Sequence, residues 1–385
     1  MNYNNGTPNA LKKNRDIRID AIKGLGIILM VAVHGGCPGS HFINLFHMPI
    51  FFIASGYLFG DKQITDFSSL WKYIRRKLQT LWLPYVITNG LLVLLNNFFI
   101  KIGIYTTNPA LLDLVEGQNN AVQHYLSLQE TLITLLKVLV FSNRPQLGAP
   151  TWFLRTLFFV TVMHAVVKFI GSKIKFRHAD ICLLVLSCIG ATVVVLMKLT
   201  LPLGLHTVFA AYIVYYIGIT LRKLNFTKFA DKHPIPLFFG SLALLIALSF
   251  FGSVAMASAQ ITNIVYFALV SLCGWLAAWS LVTYCPKLLV KPISFVGEHS
   301  LYVVLLHLCA FKAVSYLYLT AAGGDMLLLA AFPHIENVPF LWIAYLAAGL
   351  SVPLALDCLY RLAKAKVLKK INLSKKKSKG DQCAK

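Results

Sequence analysis

Three histidines, His34, His41 and His47, fall in one apolar stretch, KGLGIILMVAVHGGCPGSHFINLFHMPIFFIASGYLFG, at residues 23–60. An imidazole among Ile, Val and Phe loses hydration and titrates near neutral pH, so it calls for a partner or a task. On an ideal helix residues 11 apart return to nearly the same face, which puts Lys23 and His34 on one stripe about 16 Å apart, with Asp20 close to it. A molecule held by anionic phosphates at one end and reactive at the other matches that stripe, and a coenzyme A thioester has this shape. His34 is then placed to act as general base, taking the proton of an acceptor hydroxyl as it attacks a thioester carbonyl. A metal site built from the three histidines is not expected, because their spacing matches no compact ligand motif and no carboxylate lies close in sequence.

Other candidates lie further along the chain. His47 opens a helix in FHMPIFF, where Pro49 suits a first turn; capping or interface packing is its structural alternative. Trp71, Lys72, Arg75, Arg76 and Lys77 precede the third apolar segment. They can clamp phosphate, and anchoring to the inner leaflet explains the same residues. PTWFLRTLFF carries Trp152 and Arg155; an aromatic face stacks on sugars or sits in the interfacial belt, and a cation in an apolar run needs an anion, a carbonyl or water. ISFVGEHSLYVVLLHLCAF carries Glu298, His299 and His307. If one helix runs through it, His307 lies about 20 Å from its start, at a height resembling that of His34. Arg155 or His307 is expected to stabilise an oxyanion or orient the acceptor. Carboxylates are nearly absent from the outer half, which argues against paired-acid glycoside chemistry.

These residues need a scaffold, and composition says which kind. The 385-residue chain is 57% hydrophobic and 13% charged, with a mean hydropathy of +0.69, and shows repeated runs long enough to cross a bilayer. The expected fold is an all-α polytopic membrane protein of about ten transmembrane helices, at about 17–34, 43–60, 80–100, 151–170, 180–198, 203–221, 234–253, 261–284, 293–315 and 338–360. A polar segment 1–16 precedes the membrane domain 17–360, and a lysine-rich tail 361–385 follows it. With both termini cytoplasmic, only Lys101, Lys137, Arg144, Arg155, Lys198 and Lys312 of the 36 Lys and Arg residues fall outside or at outer helix ends, as the positive-inside bias requires.

The formal charge of +22 lies between apolar runs without a nucleic-acid signature, so it reads as topogenic and lipid-facing. The eight cysteines are scattered, without a CxxC pair, and indicate neither a disulfide framework nor zinc. No cleavable signal is expected, since the polar N-terminus leads directly into the first helix. Within the long exterior connection, about 101–150, TLITLLKVLVF has the length and apolarity to lie along the outer interface as an amphipathic helix.

In combination these pieces resemble the integral-membrane acyltransferase family 3, the bacterial O-acyltransferases of surface polysaccharides. The matching parts are Asp20 and Lys23 leading to His34, the FHMPIFFIASGY block at 46–57, the basic run ending in Leu83-Pro84-Tyr85, Trp152-Phe153-Leu154, and GEHSLY at 297–302 closing with His307. The resemblance spans nearly the whole chain, in the family's order. It implies O-acetylation or a similar transfer in the bacterial inner membrane, from cytoplasmic acetyl-CoA or another acyl-CoA to a hydroxyl of a cell-surface or lipid-linked glycan. It also implies His34 as the catalytic histidine, Lys23 near the coenzyme phosphates, and motif positions for His47, Trp152 and His307. Glu298-His299 departs from the commoner Gly-Lys/Asn-x-Ser-Leu form. No appended SGNH-type domain is expected, so the membrane part would pass the acyl group directly to its acceptor or to a separate partner. The competing class is a secondary transporter of a sugar or lipid-linked glycan with histidines in proton coupling; a receptor or scaffold without chemistry is a third. Oligomeric state is not encoded in any motif.

Overall fold

The computed structural model describes residues 16–59, 64–115 and 122–383, with side chains described to residue 366. The expected N-terminal segment, apart from residue 16, and most of the C-terminal tail's side chains therefore lie outside the described residues. Most of the described chain is helical, as expected where lipid offers no hydrogen bonds to open backbone.

Seven helices among the described residues are long and apolar enough to cross a membrane: Ser40–Phe59, Gln146–Lys173, Ala179–Met197, Pro202–Lys223, Ile264–Tyr284, Ser300–Ala322 and Leu341–Lys366. An eighth is added if Phe226–Lys232 and Pro234–Ser249, bent by 101° at His233, form one span. The expected count of about ten is thus not met, for identifiable reasons. Ile17–His34 is helical throughout but carries Arg18, Asp20 and Lys23 within its 18 residues. The expected segment 80–100 is broken at Leu95 into Leu83–Leu94 and Asn96–Lys101. The expected helix 293–315 keeps its place in the count as Ser300–Ala322, but its first part belongs to a separate helix, Lys287–Glu298, with a corner at His299 between them. His307 therefore sits only about 10 Å into its helix. Without an unambiguous even count, the side on which the termini lie rests on the lysine and arginine bias alone.

The Ile17–His34 helix forms the centre of the bundle. It packs against Lys287–Glu298, Leu341–Cys383, Ile264–Tyr284, Pro49–Phe59 and Ser300–Ala322. Small residues make the closest of these crossings possible, as they do where lipid supplies little hydrophobic drive between helices. A Cβ at Gly24 would strike the Ile293 carbonyl, and one at Gly297 would strike the Asp20 carbonyl. Backbone meets backbone there, which fixes the height and rotation of the helix bearing Lys23 and His34.

The second end of that helix is also held. Asp16 caps its N-terminus by accepting from the Arg18 N–H, and at the other end His334, on the connection before Leu341, hydrogen-bonds the His34 main chain. Burial disfavours the imidazolium form of His334 and lowers its pKa below the ordinary histidine value, although the hydrogen bond to the main chain opposes this. A short antiparallel hairpin, Val254–Ala255 paired with Gln260–Ile261, follows the Pro234–Ser249 helix. The helix Leu128–Leu139, closed by a Ser127–Glu130 capping box, exposes Leu128, Leu132, Leu136 and Leu139 along one side.

Candidate active site

A cavity of about 260 Å³ opens beside His34, and His47, Asn44 and Trp152 line it with Met30 and Phe51. Residues 254–257 of the hairpin supply another wall. His34 reaches this cavity because it is the last residue of its helix, and His47 and Asn44 because the chain turns through a short helix, Ser40–Asn44, before Pro49 starts the next. Trp152 is the first residue of the helix Trp152–Lys173.

The hydrogen bonds at the site settle the tautomers. The Nδ1 of His307 lies 2.7 Å from the Val303 carbonyl, which only accepts, so Nδ1 carries the proton. In the neutral ring its Nε2 is then an acceptor. His34 Nδ1 lies 2.8 Å from that Nε2 and must donate. The remaining nitrogen of His34, Nε2, is left with its lone pair and makes no hydrogen bond among the described residues. The two rings lie end to end in nearly one plane, 5.1 Å between centroids with an interplanar angle of 18°, as an in-line N–H···N bond requires. His307 is fully buried, so no water competes for the pair. The result is a fixed, unprotonated ring nitrogen on a half-buried histidine at a cavity wall, the arrangement a general base requires. His47 is similarly oriented: its Nδ1 donates to the Ile43 carbonyl at 3.0 Å.

The other expected residues are distributed along and around the bundle. Asp20 and Lys23 form an ion pair at 2.8 Å near the opposite end of the His34 helix, about 21 and 16 Å from His34 along the axis. Asp20 is therefore not part of the histidine cluster. Arg75 and Arg76 are exposed on the helix Phe67–Lys77, and their side chains make no hydrogen bond or ion pair among the described residues. Lys77 lies over the Tyr73 ring at 5.3 Å. With exposed Phe67 and Trp71 on the same short helix, this segment combines cations with apolar side chains. Arg155 is buried and sits outside the His34 cavity: its guanidinium abuts Gly204 and its Nη1 donates to the Phe141 carbonyl at 3.4 Å. Glu298 is exposed at the corner before His299. His41 lies off the cavity, against the Ser249 carbonyl at 3.0 Å.

Several polar groups at or near these positions carry no periodic signal in the sequence. Asn44 brings the amide of an ordinary turn residue into the cavity. Around the Lys23 end, Arg18 pairs with Asp231 at 2.8 Å and stacks over Trp279 at 4.6 Å, while Arg222 stacks over Tyr57 at 5.3 Å. Tyr57 and Trp279 are 5.8 Å apart, which links the two guanidiniums to one aromatic cluster. At the corner, the buried Asp357 accepts from His299 and from the Arg361 Nε at 2.9 Å. That arrangement joins the two halves of the broken helix to the last span.

The acceptors, donors and tautomers therefore divide the His34 helix into a basic end and a catalytic-looking end, with about three turns of apolar helix between them. No curated protein and no solved structure matches the chain. A family described as an acyltransferase domain matches residues 16–358, nearly the whole chain. The chain belongs to the membrane acyltransferase family 3 and is a multi-pass membrane acyltransferase.

Proposed function

We propose that the protein transfers an acyl group, acetyl in the simplest case, from cytoplasmic acyl-CoA to a hydroxyl of a cell-surface or lipid-linked glycan at the bacterial inner membrane. The observation that carries this reading is the His34–His307 pair, which leaves His34 Nε2 free as a base in the cavity. The acceptor hydroxyl gives its proton to Nε2 as its oxygen bonds to the thioester carbonyl carbon. The His34 imidazolium that forms keeps its Nδ1–H on His307 Nε2, so a neutral histidine fills the orienting role that a carboxylate fills in the serine-protease triad. Collapse of the tetrahedral intermediate breaks the C–S bond, and the departing coenzyme thiolate takes the proton back from Nε2.

With both ring nitrogens of His307 engaged and Arg155 outside the cavity, oxyanion stabilisation falls to the Asn44 amide and the Trp152 indole N–H. His47 supplies a second acceptor nitrogen to position the attacking hydroxyl. At the other end, Lys23 and the exposed Arg222 meet the coenzyme phosphates, and Arg75, Arg76 and Lys77 add a cationic approach from the membrane surface. The positive-inside bias puts this basic end in the cytoplasm, where acyl-CoA resides, and it puts both termini on that side.

The test is transfer of label from radiolabelled acetyl-CoA to crude cell-surface glycan by purified wild type and His34→Ala. Loss of transfer in a variant that still purifies as a folded membrane protein is expected; undiminished transfer would sink the mechanism.

A further inference from the structure

A second cleft, of about 520 Å³, lies on the far side of the hairpin that walls the His34 cavity. Residues 254–257 face the His34 cavity, whereas Ser258, Gln260 and Thr262 face the cleft, so one two-stranded ribbon is shared between them. The opposite wall is formed by Lys198, Thr200 and His206. The volume is that of a small-molecule site, about 300–1,000 Å³ in general.

The chemistry of the lining is one-sided. It contains hydroxyls, an amide and a lysine, and it contains no Asp or Glu. His206 Nδ1 lies 3.1 Å from the Leu201 N and 3.3 Å from the Leu201 carbonyl oxygen, so this turn holds that nitrogen and leaves Nε2 with no partner among the described residues. Lys198 caps the helix Ala179–Met197 in the left-handed conformation, with φ of 50°. That conformation costs a lysine about 1–2 kcal/mol where glycine is the ordinary choice.

A second, independent observation lies behind the wall. Arg155 is only 7% exposed, and its Nε has no hydrogen-bond partner. Its guanidinium presses against Gly204, in the turn that leads into His206. Arg144 is close enough to act electrostatically on both Arg155 and His206. Neither arginine pairs with a carboxylate among the described residues: Arg144 donates to the Ala149 carbonyl at 3.0 Å, and Arg155 has only the long contact to Phe141. A buried guanidinium without a counter-charge, with the half-buried Arg144 beside it, leaves a positive field that an incoming anion would neutralise.

We propose that this cleft is the acceptor subsite and that its ligand is an acidic saccharide, bearing a carboxylate or a phosphate, whose charge is met by Lys198 with Arg155 and Arg144 behind it. Neighbouring sugar hydroxyls bond His206 Nε2, Gln260 and Ser258, and the hydroxyl to be acylated passes the hairpin to reach His34. This inference rests on the acyl-transfer reading for its last step only; the binding step stands alone.

The experiment uses the full-length protein in nanodiscs of phosphatidylcholine, without acyl donor, so that no anionic headgroup competes. Binding of trigalacturonate, of its neutral methyl ester and of inorganic phosphate is measured by calorimetry for wild type, Lys198→Gln and Gln260→Ala. Trigalacturonate is expected to bind at least about tenfold more tightly than the ester, to be displaced by phosphate, and to lose about tenfold in Lys198→Gln, as for one charge-assisted contact. Gln260→Ala, on the neutral wall, should weaken acid and ester alike. Equal affinity for acid and ester, no binding of trigalacturonate, or indifference to Lys198→Gln would each overturn the subsite. Charge-selective binding that is never followed by transfer from acetyl-CoA would instead retain the subsite and refute the acyl-transfer reading.

Discussion

Replacing His307 by phenylalanine, beside replacement by glutamine, separates packing from proton placement. His307 is completely buried and packs edge-on to Phe311, so phenylalanine keeps a flat ring there but adds volume, and about 1–3 kcal/mol of stability should be lost. What phenylalanine removes is the acceptor 2.8 Å from His34 Nδ1. A hydrogen bond contributes about 0.5–1.5 kcal/mol to a neutral partner and about 1.5–3 to a charged one. His34 becomes charged only as the reaction proceeds. The loss that appears in the transition state is therefore about 1–2 kcal/mol, or about 5–30-fold in kcat, with KM for acyl-CoA little changed. Glutamine can present its amide oxygen where Nε2 stands and accept the same proton, so His307→Gln should retain activity within about threefold of wild type. Steady-state transfer of label from acetyl-CoA, with thermal unfolding of each variant as the control for folding, reads all of this. A fully active His307→Phe, or equal losses in both variants, would refute the assignment of His307 as the group that orients His34.

Three further outcomes are expected. Asn44→Leu should lower kcat by about 10²–10³ without weakening donor binding, if its amide stabilises the oxyanion; an unchanged kcat would return that role to Trp152 alone. Lys23→Met should weaken acetyl-CoA binding about tenfold, measured by equilibrium dialysis, while Lys23→Arg preserves it. Since Lys23→Met also leaves Asp20 without that ion pair, the double variant with Asp20→Asn separates lost phosphate contact from an uncompensated carboxylate: weak binding that persists in the double variant supports the phosphate role. Gly297→Ala forces a methyl group onto the Asp20 carbonyl, and because backbone cannot yield as a side chain does, about 1–3 kcal/mol or more of destabilisation is expected in heat-challenge size-exclusion profiles. A wild-type profile would show that the two helices do not cross there as closely as described.

Much of this protein is determined by its sequence alone, because lipid imposes a one-dimensional rule. Runs of about 20 apolar residues must be helices in a bilayer, and their placement depends on local composition. The seven clear spans, the Lys23-to-His34 stripe and the motif order that marks the acyltransferase family are all of that kind. Two of the breaks are not: Leu95 and His299 fall inside stretches, 80–100 and 293–315, that each read as one helix, and His299 forms a corner at which its ring meets Asp357, 58 residues away. Apolar periodicity also cannot say which helices touch, since every face of a membrane helix is apolar and contacts are chosen by small residues at crossings such as Gly24 against Gly297. Only the tertiary structure joins His34 to His307 across 273 residues, and that bond sets which nitrogen of His34 is free. The same is true of Asn44, of His334 and of the hairpin between the two clefts. Their side chains are ordinary in sequence, and proximity alone gives them chemistry.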